Sequence, residues 1–251
     1  MAEGRFDLVG KTALVTGGAK RIGRALCLAL ADEGIDVVVH YGRSAEEAEQ
    51  TVTALSERGV RGATLQADLG NPAEAEGLLA RAIEAVGPID LVVSNASCYP
   101  TDRLMDFTPE QLAVNVQVNA MAPLQLARAF AAQGREGAIV NFVDARMADR
   151  DPRHTSYLLS KRMLLSITRM LALELAPAVR VNAVAPGLVL PPEGMAPDAF
   201  DRLAHTNPLH RVGSAAAVVD AVMYLLRADF VTGQVIYVDG GRRMKGSMYG
   251  S

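Results

Sequence analysis

Residues 12–26 read TALVTGGAKRIGRAL: a β-branched run, a turn carrying Gly17, Gly18 and Gly23, and then apolar positions at helical spacing. Glycines between a strand and a helix let the backbone approach a pyrophosphate, whose charge the helix N-terminus favours. The spacing is not G-x-G-x-x-G; it matches T-G-x-x-x-G-x-G except that Arg21 stands at the middle glycine. Outward from this unit the pattern repeats. TALVTG, DVVVHY, GATLQA, DLVVSNA, GAIVNFV, VRVNAVAPG and GQVIYVDGG read as strands, and their apolar runs are continuous, as parallel strands covered on both faces require. Between them RIGRALCLALADEG, SAEEAEQTVTALSERG, NPAEAEGLLARAIEAVG and the segments 109–133 and 156–176 have helical periodicity. This β-α-β repetition predicts an α/β fold, a doubly wound parallel sheet of about seven strands with helices on both faces. No linker or low-complexity tract interrupts residues 1–251, so one domain is expected. The least regular stretch, 187–212, follows a strand's carboxyl end, where open α/β sheets bind ligands. It reads as a substrate lid, with a plain surface loop as the alternative.

The 251 residues are 50% hydrophobic and 21% charged with a formal charge of −3, so a large core is expected and nucleic acid is not an expected partner. Residues 1–10, MAEGRFDLVG, hold no apolar leader, and the most apolar stretch, MLLSITRMLALELA, is interrupted by Arg169. Neither a signal peptide nor a membrane span is expected, and the predicted location is cytoplasmic. Cys27 and Cys98 suit a reducing compartment and are too few for a disulfide framework. Cys27 reads as core; Cys98 reads as a pocket-lining thiol, since no histidine is placed by sequence to activate it as a nucleophile. His40, His154, His205 and His210 share no ligand spacing, so no metal is predicted.

Past the second predicted strand, VVVHYGRSAEEAE offers His40, Arg43 and Ser44 and no acid before Glu46. An NAD site places an acid there for the ribose 2′-hydroxyl, so its absence favours a 2′-phosphate and hence NADPH. Arg21 can reach that phosphate or the pyrophosphate, because a guanidinium fork matches phosphate oxygens. The structural alternatives are a solvated Arg43 and a Ser44 that caps the next helix in a capping box with Glu47; capping and phosphate binding can coexist. Further on, Tyr157 and Lys161 lie four apart on one helical face, with Asp144 thirteen residues before the tyrosine. An ammonium beside a phenol stabilises its phenolate and eases proton donation near neutral pH.

From about residue 11 to 241 the sequence resembles the classical short-chain dehydrogenase/reductases, through TGGAKRIG, ADL at 67–69, SNAS at 94–97, Asn119, the Y-x-x-x-K pair, PG at 186–187 and VTGQVIYVDGG. The resemblance implies a Rossmann-like fold and hydride transfer from a nicotinamide. It makes Tyr157 the proton donor, Lys161 the group that lowers its pKa and holds the nicotinamide ribose, and Asn119 the anchor of a proton-relay water. It also brings Gly17, Ile22, Gly23 and Tyr41 to the cofactor, Asp68 and Leu69 to the adenine, Asn95 and Ala96 to the adenosine side, and Pro186 and Gly187 to the nicotinamide.

Most members place a serine thirteen residues before the tyrosine to bond the substrate carbonyl; here that residue is Asp144. An ionised carboxylate only accepts, and it repels a developing alkoxide, so a simple ketone fits poorly. A nitrogen heterocycle fits better, because the acid can accept from ring N–H or amino groups or, when protonated, relay a proton to a ring nitrogen. With VVVHYGRSAEEA, SNAS followed by YPT, NFVDA and RVNAVAPGL, the chain is similar to the pteridine reductase and dihydromonapterin reductase subgroup. There Arg21, His40, Arg43 and Ser44 would hold the NADPH phosphates, and Ser97 would meet both cofactor and pterin. Asp144 with Tyr157 would protonate the ring nitrogen, Tyr99 would stack on the pterin, and Leu188 would complete the pocket. Ser94 and Cys98 depart from the subgroup's pattern.

The expected function is NADPH-dependent reduction of pterin C=N bonds, of dihydrobiopterin, dihydromonapterin or dihydrofolate type. The resemblance further implies a homotetramer, with the tail RRMKGSMYGS reaching toward a neighbouring subunit's site. The rivals are an NADPH-dependent ketone or 3-oxoacyl-thioester reductase that tolerates Asp144, and a non-catalytic NADPH-binding sensor, which the retained Tyr157 and Lys161 disfavour.

Overall fold

In the computed structural model, which describes residues 6–148, 152–192 and 195–245, each expected apolar run forms a strand. These are β1 (Thr12–Val15), β2 (Asp36–Tyr41), β3 (Gly62–Gln66), β4 (Leu91–Ser94), β5 (Gly137–Phe142), β6 (Val179–Pro186) and β7 (Val235–Val238). They pair in parallel in the order β3-β2-β1-β4-β5-β6-β7. Because side chains alternate along a strand, a run apolar throughout serves two cores at once. Ala13 and Val15 of β1 and Val37 and Val39 of β2 face one hydrophobic cluster, whereas Leu14 and Val38 face the other.

Helices cover both faces. One layer holds α1 (Arg21–Asp32) and α2 (Ala45–Ser56), the other α3 (Pro72–Val86), α4 (Pro109–Val116), α5 (Ala122–Ala131) and α6 (Thr155–Glu174). In α1 the buried Gly23, Leu26, Cys27, Leu30 and Ala31 repeat at three and four, which turns one stripe to the sheet. The helical segment expected over 109–133 falls into pieces: α4 starts with a Thr108–Gln111 capping box, and a π-turn, Gln117–Met121, separates it from α5. π-Turns favour functional sites, and this one carries Asn119.

Past the short α7 (Pro197–Asp201), the helix α8 (Ala215–Arg227) was not among those expected; it packs Val218, Val222 and Leu226 beside α1. The Ser44–Glu47 capping box does not form. Ser44 occupies the N-cap position of α2 without a side-chain bond, and Glu47 pairs with Lys20 at 2.6 Å instead.

Strand addition reverses direction between β1 and β4, which opens a crevice beyond their carboxyl ends. The stretch 187–212 leaves β6 at that end of the sheet, and Gly213 N–H donates to the Leu188 carbonyl at 2.8 Å, so it begins and ends at one hydrogen bond. Its Glu193 and Gly194 lie outside the described residues. So do residues 246–251 of the tail; the preceding turn, Arg242–Lys245, packs against the turn Ala145–Ala148 of its own chain. No described helix is long and apolar enough to cross a membrane.

Candidate active site

The turn between β1 and α1 is tied from three directions. Asn95 Nδ2 donates to the carbonyls of Thr16 (2.9 Å) and Gly17 (3.1 Å), and Thr16 Oγ1 accepts from Ala96 N–H at 3.0 Å. Gly17 N–H donates to His40 Nδ1 at 3.1 Å, so the ring proton sits on Nε2 and is donated to the Ala67 carbonyl, also at 3.1 Å. Gly17 lies at φ +64, and a Cβ on Gly23 would stand 2.0 Å from the Gly17 oxygen. Only glycine permits this closeness, which leaves backbone and the α1 N-terminus facing the crevice. A pyrophosphate fits such a cradle.

One expectation at this end is corrected. Burial pushes the His40 imidazole down to about 4, and both ring nitrogens serve the fold, so it is a neutral tie between strands rather than a phosphate ligand. Arg21, at φ +54 in the glycine's place, donates through Nη2 to the Pro191 carbonyl at 2.6 Å. Arg43 is exposed and Ser44 half-buried at the start of α2, with Tyr41 half-buried before them. Ile22 packs partly buried behind the turn, Asp68 is exposed, and Leu69 is buried. Pro186, Gly187 and Leu188 lie half-buried where β6 ends.

At the other end of the crevice β5 delivers Asp144, and α6 delivers Tyr157 and Lys161. Tyr157 Oη donates to Asp144 Oδ2 at 2.7 Å, while Asp144 Oδ1 accepts from Arg146 N–H at 2.6 Å. Lys161, 2% exposed, donates to the Phe142 carbonyl at 2.7 Å, and its Nζ lies 5.7 Å from the Tyr157 ring centroid. Burial brings the ammonium down to about 8, opposed by the Asp144 carboxylate. The Tyr157 phenol is corrected in direction: burial first, then Asp144, hold its pKa well above the ordinary value rather than below it.

Asn119 ties the neighbouring loop to α6. Its Oδ1 accepts from Ser97 Oγ (2.9 Å) and Cys98 N–H (3.0 Å), and its Nδ2 donates to the Cys98 carbonyl (3.1 Å) and Ser160 Oγ (3.0 Å). Both ends of the amide are taken, so this side chain ties the loop after β4 to α6. Cys98, half-buried, has its thiol pKa raised chiefly by burial, which suits a pocket-lining role. Tyr99 stacks on His154, centroids 3.9 Å apart at 17°, and meets the Tyr157 ring edge-on at 4.6 Å.

A family model described as enoyl-(acyl carrier protein) reductase matches residues 17–243. The 3-oxoacyl-(acyl-carrier-protein) reductase FabG of Staphylococcus epidermidis is 30% identical, over 94% of this chain and all of its own. The chain belongs to the short-chain dehydrogenase/reductase family. Among solved structures of this family's fold, FolM alternative dihydrofolate reductase 1 from Brucella canis, complexed with NADP, aligns at TM-score 0.90 and 35% identity, covering 95% of this chain and 96% of that one. The angucycline C-6 ketoreductase LanV with bound NADP aligns at 0.88 and 29%, covering 95% and 97%.

In this short-chain reductase the site also holds residues that sequence reading passed over. Asp102, 7% exposed, accepts from Ser156 N–H (3.0 Å) and from Ser156 Oγ, and Asn115 Nδ2 donates to that same Oγ at 2.9 Å. Asn115 stands one helical turn before Asn119, a pairing visible in the sequence; Asp102 and His154 join the site only through tertiary contact.

Proposed function

We propose that this protein reduces pterin C=N bonds with NADPH. The observation that carries the reading is the 2.7 Å bond from Tyr157 to Asp144, a carboxylate where carbonyl reduction calls for a donor. The likeness to FolM supports the same substrate class. The cofactor is NADPH: the glycine cradle would take the pyrophosphate, Arg43 and Ser44 the 2′-phosphate, and Asp68, Leu69, Asn95, Ala96 and Ser97 the adenosine side. Lys161, Pro186 and Gly187 would meet the nicotinamide end. When bound, NADPH supplies the hydride for a ring carbon.

The chain's own residues handle the proton. Each Asp144 oxygen already accepts one hydrogen bond and keeps a lone pair for an amino or ring N–H group of the substrate. Tyr157, held protonated, passes its hydroxyl proton to the neighbouring ring nitrogen, and the Lys161 ammonium stabilises the phenolate left behind. Tyr99 and Leu188 line the flat substrate, and the stretch 187–212 closes over it as a lid. The assembly is a cytoplasmic homotetramer; Met170 and Leu173 of α6, 64% and 85% exposed, supply apolar surface for association.

The second reading, a 3-oxoacyl-thioester reductase, draws on the 30% identity to FabG over 94% of this chain. Steady-state NADPH oxidation with 7,8-dihydrobiopterin, run beside an acetoacetyl thioester and beside NADH, separates the two. Dihydropterin turnover with NADPH preferred is the expected result; turnover of the thioester alone would make Asp144 a tolerated substitution and overturn the pterin reading.

A further inference from the structure

The geometry points to His154 as a positioning residue that fixes the Tyr99 ring as the wall of the substrate site and so selects flat substrates. Nothing in the sequence marks it, and the reaction itself does not use it. Its ring lies on that of Tyr99 at 3.9 Å and 17°, a close parallel stack, and the Tyr99 ring in turn meets Tyr157 at 88°. The three rings form a corner, with the proton donor as one wall and Tyr99, still 42% exposed, as the other.

His154 cannot leave this position cheaply. Nδ1–H donates to the Pro100 carbonyl at 2.8 Å, and residues 102 and 154 pair as an isolated parallel bridge, with Asp102 N–H donating to the Arg153 carbonyl at 2.8 Å. Two residues on, inside α6, Ser156 N–H and Oγ both donate to the buried Asp102 carboxylate. The loop after β4 is therefore stapled to the start of the helix that carries Tyr157 and Lys161. An aromatic side chain fixed before binding loses less rotamer freedom when a substrate packs on it. That gain goes to a planar heterocycle, which can cover the ring, and not to a flexible acyl chain.

The inference takes its substrate from the pterin reading above. Replacing His154→Ala is expected to raise KM for 7,8-dihydrobiopterin about five-fold with kcat nearly unchanged, and to leave KM for the acetoacetyl thioester where it was. His154→Phe, which keeps a ring but loses the Pro100 bond, should recover most of the loss. An unchanged dihydropterin KM in His154→Ala, or an equal rise for both substrates, would overturn the assignment. NMR gives a readout independent of turnover: the His154 ring protons should be shifted upfield by the Tyr99 ring current and return in Tyr99→Leu. An enzyme active on thioesters alone would sink the pterin reading while leaving this shift to decide the stack. Unshifted ring protons would overturn the stack even in an enzyme that reduces pterins.

Discussion

At position 144 a carboxylate stands hydrogen-bonded to Tyr157, and its charge adds to burial in disfavouring the phenolate. Burial and Asp144 together hold the phenol protonated, while for Lys161 burial lowers the ammonium to about 8 and Asp144 opposes that fall. Removing the carboxylate lowers both groups. Asp144→Ser is therefore expected to cut kcat for 7,8-dihydrobiopterin by about 100-fold, the usual size of a lost acid-base contribution, and to raise turnover of the acetoacetyl thioester relative to it. The charged Lys161 is lost as pH rises through about 8, so kcat/KM should fall there in the wild type. In Asp144→Ser the ammonium is less favoured and the fall should begin at lower pH. Rate profiles for both substrates from neutral to alkaline pH check this; an unmoved limb with an unchanged substrate ratio would count against Asp144's role.

Between elements, Arg21 joins the glycine turn to the stretch 187–212 by one hydrogen bond to Pro191. It does so at φ +54, a conformation that costs a non-glycine residue about 1 kcal/mol. Arg21→Gly should relieve that strain and release the stretch, so the melting temperature should hold or rise while backbone hydrogen exchange across 188–192 and 195–212 speeds up. Exchange at the wild-type rate would show that the arginine does not hold this segment. The same turn shows what could be read in advance. Strands and glycines were legible because a parallel strand buried on both faces must be apolar throughout, and because the Tyr157–Lys161 face and the Asp144 spacing are local. α8 was not expected, although AAAVVDAVMYLLR carries a readable apolar face, with Val218, Val222 and Leu225 buried and Asp220 and Tyr224 exposed. The inward turn of His40 and the His154–Tyr99 stack depend on residues 23 to 55 positions apart, beyond any local pattern.

Across the whole molecule, one buried imidazole ties β2 to the turn after β1 and to the end of β3, and it does so only when neutral. In the unfolded chain His40 takes up a proton near its ordinary 6.5, whereas in the fold it resists until about 4. Between those values the unfolded state binds more protons, so stability is complete above about 6.5 and declines as pH falls toward 4. The 2% exposure of the ring makes burial a sound cause, and the full loss is about 3 kcal/mol. Glu47 and Glu110 have pKa values lowered below 4.5, by a bond from Lys20 and by backbone N–H respectively, so what they contribute is lost only at lower pH. The interval from 6.5 down to 4.5 therefore isolates the histidine. Urea unfolding through that interval should show the wild type losing about 2 kcal/mol by about pH 5. His40→Gln, less stable at neutral pH because the tie is weakened, should lose much less over the same range. Equal slopes for the two proteins would mean that another group governs the acid response. Because the same ring holds Gly17, the tie between β2 and the cofactor turn should fail at the same pH as the fold.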